Sequence, residues 1–288
     1  MGRRSRRWST SPNAAGTDAW FTVPYNADED FVRNMAAIVR DRLDKGHKAY
    51  FELSNEVWNF SFPVAKQAMD EGVAEKLSAD PYTNNPLRYA EKSIWMHKIL
   101  TDAFKDQPAR LVRVVAAQND NSWNGRTIMG FRDMAAWTDA IATGVYFGHS
   151  FFDAPNDKPA IETLPAQFDR LEIARATAIA RALENKATAD KYGKRMIAYE
   201  AGQHIIVPAN ASPEATAMNI AMQRSPLMSE QYRRFLADWR AKIGDTITMY
   251  SMTGSISQYG SWGMREYAGQ PLAETPKRAA VMDAIATP

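Results

Sequence analysis

Two glutamates, each closing a short apolar run, carry the chemistry that is legible in this chain. Glu56 follows Ala49-Tyr50-Phe51-Glu52-Leu53-Ser54-Asn55, and Glu200 follows Arg195-Met196-Ile197-Ala198-Tyr199. Paired carboxylates at strand ends are what retaining glycoside hydrolysis needs. One holds a proton for the leaving oxygen while the other attacks the anomeric carbon, with the two about 5 Å apart. An Asn-Glu dipeptide alone is unspecific. The setting Ser54-Asn55-Glu56-Val57-Trp58-Asn59, with a second strand-end glutamate later, is far more selective. The interval between the glutamates leaves room for three strand–helix units.

Other strand ends offer residue types that handle sugars, amides and hydroxyls for sugar hydroxyls and aromatic faces for the C–H faces of pyranose rings. They are Tyr25 and Asn26, then Gln118 and Asn119, then Tyr146 with His149, and finally Trp262 in Gly260-Ser261-Trp262-Gly263. Asn55 is placed to hydrogen-bond a sugar 2-hydroxyl, a contact that strengthens in the transition state. Tyr146 is read as the hydroxyl that keeps Glu200 ionised and oriented, and Trp262 as a stacking platform. Trp58, Phe60 and Trp123 extend an aromatic cleft, and His149, Gln203 and His204 line subsites. Each has a plainer reading: Glu56 as a helix-start acid, Asn55 as a cap, Glu200 as an ion-pair partner, Tyr146 as core, Trp262 as a loop anchor.

The elements that must position these residues alternate strand and helix, which predicts an α/β fold with a parallel sheet. Strands are expected near 20–24, 48–54, 110–117, 139–147, 195–199 and 246–251. Asp28 caps a helix with Val32, Met35, Ala36, Val39 and Leu43 on its apolar face, and Gly46 stops it. Pro81-Tyr82-Thr83-Asn84-Asn85-Pro86 reads as a break in a longer helical region. Further helices are expected along Leu164, Phe168, Leu171, Ala174 and Ala178, along Tyr232, Phe235, Leu236 and Trp239, and over 276–286. Segment 201–225 reads as a loop with local helix. Six strand–helix units result, where a closed barrel of this type has eight.

Composition bounds the rest. The 288 residues suit one large domain, expected over 18–288, and 45% hydrophobic with 24% charged residues is ordinary for a globular protein. The formal net charge of +2 points to no acidic or basic partner. Arg3, Arg4, Arg6 and Arg7 read as part of a disordered, solvated tail over 1–17; their rival reading is a nucleic-acid contact. No apolar segment follows them as in a secretion signal, and no run is long enough to span a bilayer. The absence of cysteine excludes disulfide and thiolate chemistry, and His47, His97, His149 and His204 show no metal-ligand spacing. No cofactor is expected.

Asn55-Glu56 at one strand end, the aromatic–histidine segment 146–149, Glu200 at a later strand end and Trp262 after the last strand resemble clan A glycoside hydrolases. The likeness is nearest to family 5-like, cellulase-type barrels and to bacterial cellulose-binding-domain proteins with a Ser-Asn-Glu-Val-Trp-Asn segment, and it runs from about residue 18 onward. It implies a TIM-type (β/α)8 barrel and a retaining two-glutamate mechanism on β-linked oligo- or polysaccharides. Glu56 is then the acid/base, Asn55 its sugar-binding neighbour, Glu200 the nucleophile and Trp262 the platform. Secreted or periplasmic relatives are typical of the group. In it, Asn-Glu ends the fourth strand, whereas here one strand precedes it, so the first two units and the arginine of the second strand have no counterpart. Pro24-Tyr25-Asn26 stands where many relatives place a histidine. An open barrel would leave edges for self-association. The alternatives are a catalytically inactive carbohydrate-binding barrel and a truncated fragment.

Overall fold

The computed structural model describes residues 7–148, 163–208, 211–257 and 259–287. The expected α/β alternation is present. Strands β1 (Ala19–Val23), β2 (Ala49–Leu53), β3 (Leu111–Ala117), β4 (Ala140–Phe147) and β5 (Arg195–Gln203) join one sheet in the order β1-β2-β3-β4-β5. The helices are α1 (Arg7–Ala15), α2 (Glu29–Arg42), α3 (Pro63–Ala74), α4 (Pro81–Ala103), α5 (Ser122–Met129), α6 (Met134–Trp137), α7 (Leu164–Lys191), α8 (Pro213–Arg224), α9 (Pro226–Lys242) and α10 (Pro276–Ala286). β1–β2 and β2–β3 pair in parallel, with Trp20 opposite Tyr50 and Glu52 opposite Val114. Sequential strands separated by helices are the pattern of a TIM-type barrel, with five strands among the described residues. None of the described helices is long and apolar enough to cross a membrane.

The chain divides into two compact units, Met1–Ala142 with Asn185–Met196, and Thr143–Glu184 with Ile197–Pro288. In the first unit one face of the strands packs the apolar core. Phe21 and Phe51 lie 5.4 Å apart, Phe104 meets Phe51 edge-on at 5.9 Å, and Val32, Met35, Ala36 and Val39 of α2 are buried as expected. Asp28 caps α2 by accepting from Phe31 N at 2.8 Å. The other strand face is polar and aromatic. Trp20 stacks on Tyr50 at 5.4 Å, donates to Glu52 Oε2 at 2.9 Å, and Arg195 lies over the Tyr50 ring at 5.5 Å.

The second unit is built on Phe147, which packs 5.8 Å from Tyr232 and 5.2 Å from Phe235. Phe168, Leu171 and Ala178 of α7 and Trp239 of α9 are buried, as the helical periodicity predicts.

Three elements differ from expectation. The strand expected over 246–251 is a single parallel bridge, Ala198 to Ile247. The supposed break at Pro81–Pro86 is the first part of α4, because Asp80 caps it and Pro81 occupies the first helical position, where a missing N–H costs nothing. Within the segment read as a tail, α1 spans Arg7–Ala15, and Asn13 donates to Arg42 O at 2.8 Å and accepts from Asp44 N at 3.0 Å.

Candidate active site

In the first unit the candidate site is the turn after β2. Ser54 N extends the strand pairing one step by donating to Val23 O at 2.6 Å. The backbone then turns sharply. Ser54 (φ 58°) and Glu56 (φ 45°) both adopt left-handed conformations, each unfavourable by about 1–2 kcal/mol for a residue with a Cβ. Strain of this kind persists only where neighbours hold it. Val57 is buried, and Asn85 of α4, itself buried, donates to Val57 O and Ala65 O, both at 2.9 Å.

Glu56 is half-buried and accepts from Asn59 Nδ2 at 2.8 Å, while Asn59 N donates to Glu56 O at 2.8 Å. Asn59 thus grips its backbone and its carboxylate. Asn55 is exposed beside it, and Trp58 is half-buried with Nε1 unpartnered and out of solvent.

Other residues of the first unit are placed differently from a simple strand-end reading. Tyr25 is buried, and its hydroxyl donates to Glu71 Oε2 at 3.1 Å while Lys92 lies over its ring at 4.1 Å. Asn26 is exposed and exchanges hydrogen bonds with Gln67 at 3.2 and 2.7 Å. Trp123, at the start of α5, is exposed. Asn119 is buried, and its carbonyl accepts from Asn185 Nδ2 at 3.0 Å.

In the second unit Glu200 lies inside β5, which continues to Gln203, and it is half-buried. The 246–250 segment runs along this strand: Thr248 N donates to Ala198 O at 3.1 Å and Tyr250 N to Ala201 O at 3.0 Å. Gly144 of β4 leaves room for Tyr199, whose hydroxyl would stand 3.0 Å from any added Cβ. Tyr146, His204 and Trp262 form one aromatic cluster. The His204 ring is 5.2 Å from Tyr146 and 5.3 Å from Trp262, and Trp262 Nε1 donates to His204 Nδ1 at 3.1 Å. With Nδ1 accepting, a neutral His204 carries its proton on Nε2. Tyr250, which sequence reasoning did not single out, adds its ring edge-on to Trp262 at 6.0 Å. His149 lies outside the described residues.

Sequence reasoning also missed Asn85, Gln203's central role and Lys277. Gln203 is fully buried. Its Nε2 donates to Ser261 O at 2.7 Å and its Oε1 accepts from Ile205 N at 2.9 Å, so it ties the end of β5 to the Trp262 loop. The Asn59 contact was visible as a three-residue spacing from Glu56. No pattern in the sequence pointed to the others.

No protein-family model matches this chain, and no curated protein matches it in sequence. Solved structures do resemble it. A GH51 arabinofuranosidase from Xanthomonas axonopodis pv. citri aligns with a TM-score of 0.57 at 12% identity, over 88% of this chain and 49% of that one. A β-glucuronidase from Bacteroides uniformis aligns with a TM-score of 0.50 at 13% identity, over 93% of this chain and 28% of that one. The chain therefore spans about half or less of the length of these neighbours. The structures it is similar to are clan A glycoside hydrolases, the group suggested by its strand-end residues. At this identity the likeness is one of fold, an α/β chain of TIM type.

Proposed function

We propose that this chain carries a retaining glycosidase site for β-linked glycans. Glu56 protonates the leaving glycosidic oxygen, Glu200 attacks the anomeric carbon, and Glu56 then draws the proton from the water that releases the sugar. In this reading Asn55 binds the 2-hydroxyl, Trp262 provides the stacking face, and Tyr146, His204, Trp58, Trp123, His149, Tyr25 and Asn26 contribute to the subsites.

The observation that carries this reading is the turn after β2. A glutamate is held there in a left-handed conformation with its carboxylate fixed by Asn59, local strain of the kind that gathers at functional sites. The aromatic cluster of Tyr146, His204 and Trp262, four residues downstream of Glu200 at its centre, supports it. So does the fold, which it shares with glycoside hydrolases.

A panel of aryl β-glycosides and β-linked polysaccharides, assayed with the wild type, Glu200→Gln and Glu56→Gln, tests the proposal. Turnover lost in both variants is expected. Turnover that survives Glu200→Gln would remove the assignment.

The second reading is a carbohydrate-binding barrel without turnover, which the presence of five strands among the described residues favours. Glycan binding that is equal in wild type and Glu200→Gln, with no hydrolysis by either, distinguishes it.

A further inference from the structure

Lys277 is the second residue of α10, and it is 5% exposed. Both facts run against ordinary preference. A helix N-terminus is electropositive and repels a cation, and a buried ammonium loses its hydration. Burial pushes its pKa from the usual 10.5 down to about 7, with Glu266 pulling weakly in the other direction. Among the described residues Lys277 has no ion-pair partner. Glu266 is taken up by Arg224, whose Nε and Nη2 reach its two oxygens at 2.9 and 2.8 Å.

What Lys277 does hold is a carbonyl. Its Nζ donates to Ser261 O and, at 3.1 Å, to Gln223 Oε1. Gln223, also buried, passes the network on by donating to Gln203 Oε1 at 3.1 Å. Gln203 returns to the same Ser261 carbonyl at 2.7 Å. Asn219 Nδ2 donates to Ser261 Oγ at 3.3 Å. The two residues gripped by this closed ring, Gln203 and Ser261, directly precede His204 and Trp262.

We propose that Lys277 is a positioning residue for Trp262: by fixing the Ser261 carbonyl jointly with Gln203, it sets the indole against His204 at the angle a sugar ring would meet. This rests on Trp262 serving as the sugar platform proposed above. Two donors on one carbonyl occupy both lone pairs and fix the direction of the peptide that leads into Trp262. A single donor would leave that peptide free to swing about one hydrogen bond. An ordinary helix start needs no such residue, and an apolar side chain of similar length would pack there without the desolvation cost. A costly group kept at a point one residue from an aromatic platform is the signature of a site rather than of a core.

The test is near-ultraviolet circular dichroism without substrate, using wild type, Trp262→Phe, Lys277→Met, Lys277→Arg and the double variant Lys277→Met/Trp262→Phe. The wild-type minus Trp262→Phe difference isolates the fixed indole. The inference expects that difference to vanish in the Lys277→Met background while the far-ultraviolet spectrum stays unchanged, and to return in Lys277→Arg. A full Trp262 signal in Lys277→Met overturns it, as does a wild type in which Trp262→Phe changes nothing. Should Lys277→Met not fold, Lys277→Gln, neutral and shorter, carries the same comparison. These spectra need no turnover, so failure of the glycosidase reading and failure of this inference are separately visible.

Discussion

Trp262 Nε1 donates to His204 Nδ1 at 3.1 Å, with the two rings 5.3 Å apart. The hydrogen bond ties the loop after the 246–250 segment to the end of β5, and Trp262 is half-buried there. If the indole face stacks a sugar, Trp262→Ala should weaken binding of a β-linked oligosaccharide by about 1–2 kcal/mol, roughly tenfold, the value of the aromatic area lost. His204→Phe keeps the ring contact but removes the acceptor, and a smaller loss is expected. Titration calorimetry with cello- and manno-oligosaccharides measures both. Equal affinity in wild type and Trp262→Ala would contradict the platform role.

The turn at Glu56 makes a second prediction. Asn59→Ala removes the donor to Glu56 Oε2, and Asn59→Asp places a like charge against it. Both should lower kcat/KM on an aryl β-glycoside, the aspartate more, by about 1–3 kcal/mol in transition-state free energy for a charge-assisted hydrogen bond. Urea unfolding should move by less than about 1 kcal/mol for the alanine, since the pair is partly solvated. A large stability loss with unchanged kinetics would assign Asn59 to the fold alone.

Asn85 separates support from chemistry. It satisfies two backbone carbonyls, one of them Val57 O next to Glu56, from inside α4. Asn85→Ala leaves both unpaired out of water, so a loss of about 2–3 kcal/mol in urea denaturation is expected. Ser54→Gly should act oppositely, stabilising by up to about 1 kcal/mol by relieving the left-handed strain. A neutral Asn85→Ala, or a destabilising Ser54→Gly, would contradict this account of the turn.

Most of the scaffold was legible in the residues because apolar runs and helical periodicity report burial directly. β1 to β5 and the buried faces of α2, α7 and α9 follow that signal. It fails where local propensity and pairing part company. Thr246-Ile247-Thr248-Met249-Tyr250-Ser251 alternates like a strand, yet it meets β5 through one bridge at Ile247 and the separate Tyr250 N to Ala201 O bond, and Tyr250 remains exposed. The candidate site was half legible. Its glutamates and aromatics stand out by type, although Glu200 lies inside β5 rather than at its end. Asn85 and Lys277, by contrast, are polar residues in helical stretches, where a polar residue normally signals a solvent face. Their burial is a property of the tertiary structure, and no spacing rule encodes it.

Lys277 also predicts a pH dependence. The unfolded chain keeps its proton to the ordinary 10.5, while the folded chain releases it near 7. Between those values the unfolded state binds more protons, so stability rises with pH across that window. The cost of burying the ammonium is fully present below about 7. The charge facing it is Glu266, already paired with Arg224. The wild-type minus Lys277→Met difference in unfolding free energy should therefore climb by about 1.4 kcal/mol per pH unit above 7, as measured by urea denaturation. Parallel curves for the two proteins would contradict it.

In the proposed mechanism Glu200 attacks an anomeric carbon with Glu56 as its acid/base partner. Mechanism-based trapping with 2-deoxy-2-fluoro β-glycosides, followed by peptide mass mapping, tests it most directly. The account predicts one covalent glycosyl group on Glu200, formed by the wild type and absent in Glu200→Gln. A label on another residue, or hydrolysis of the parent β-glycosides with no trapped intermediate and inverted product stereochemistry, would contradict it.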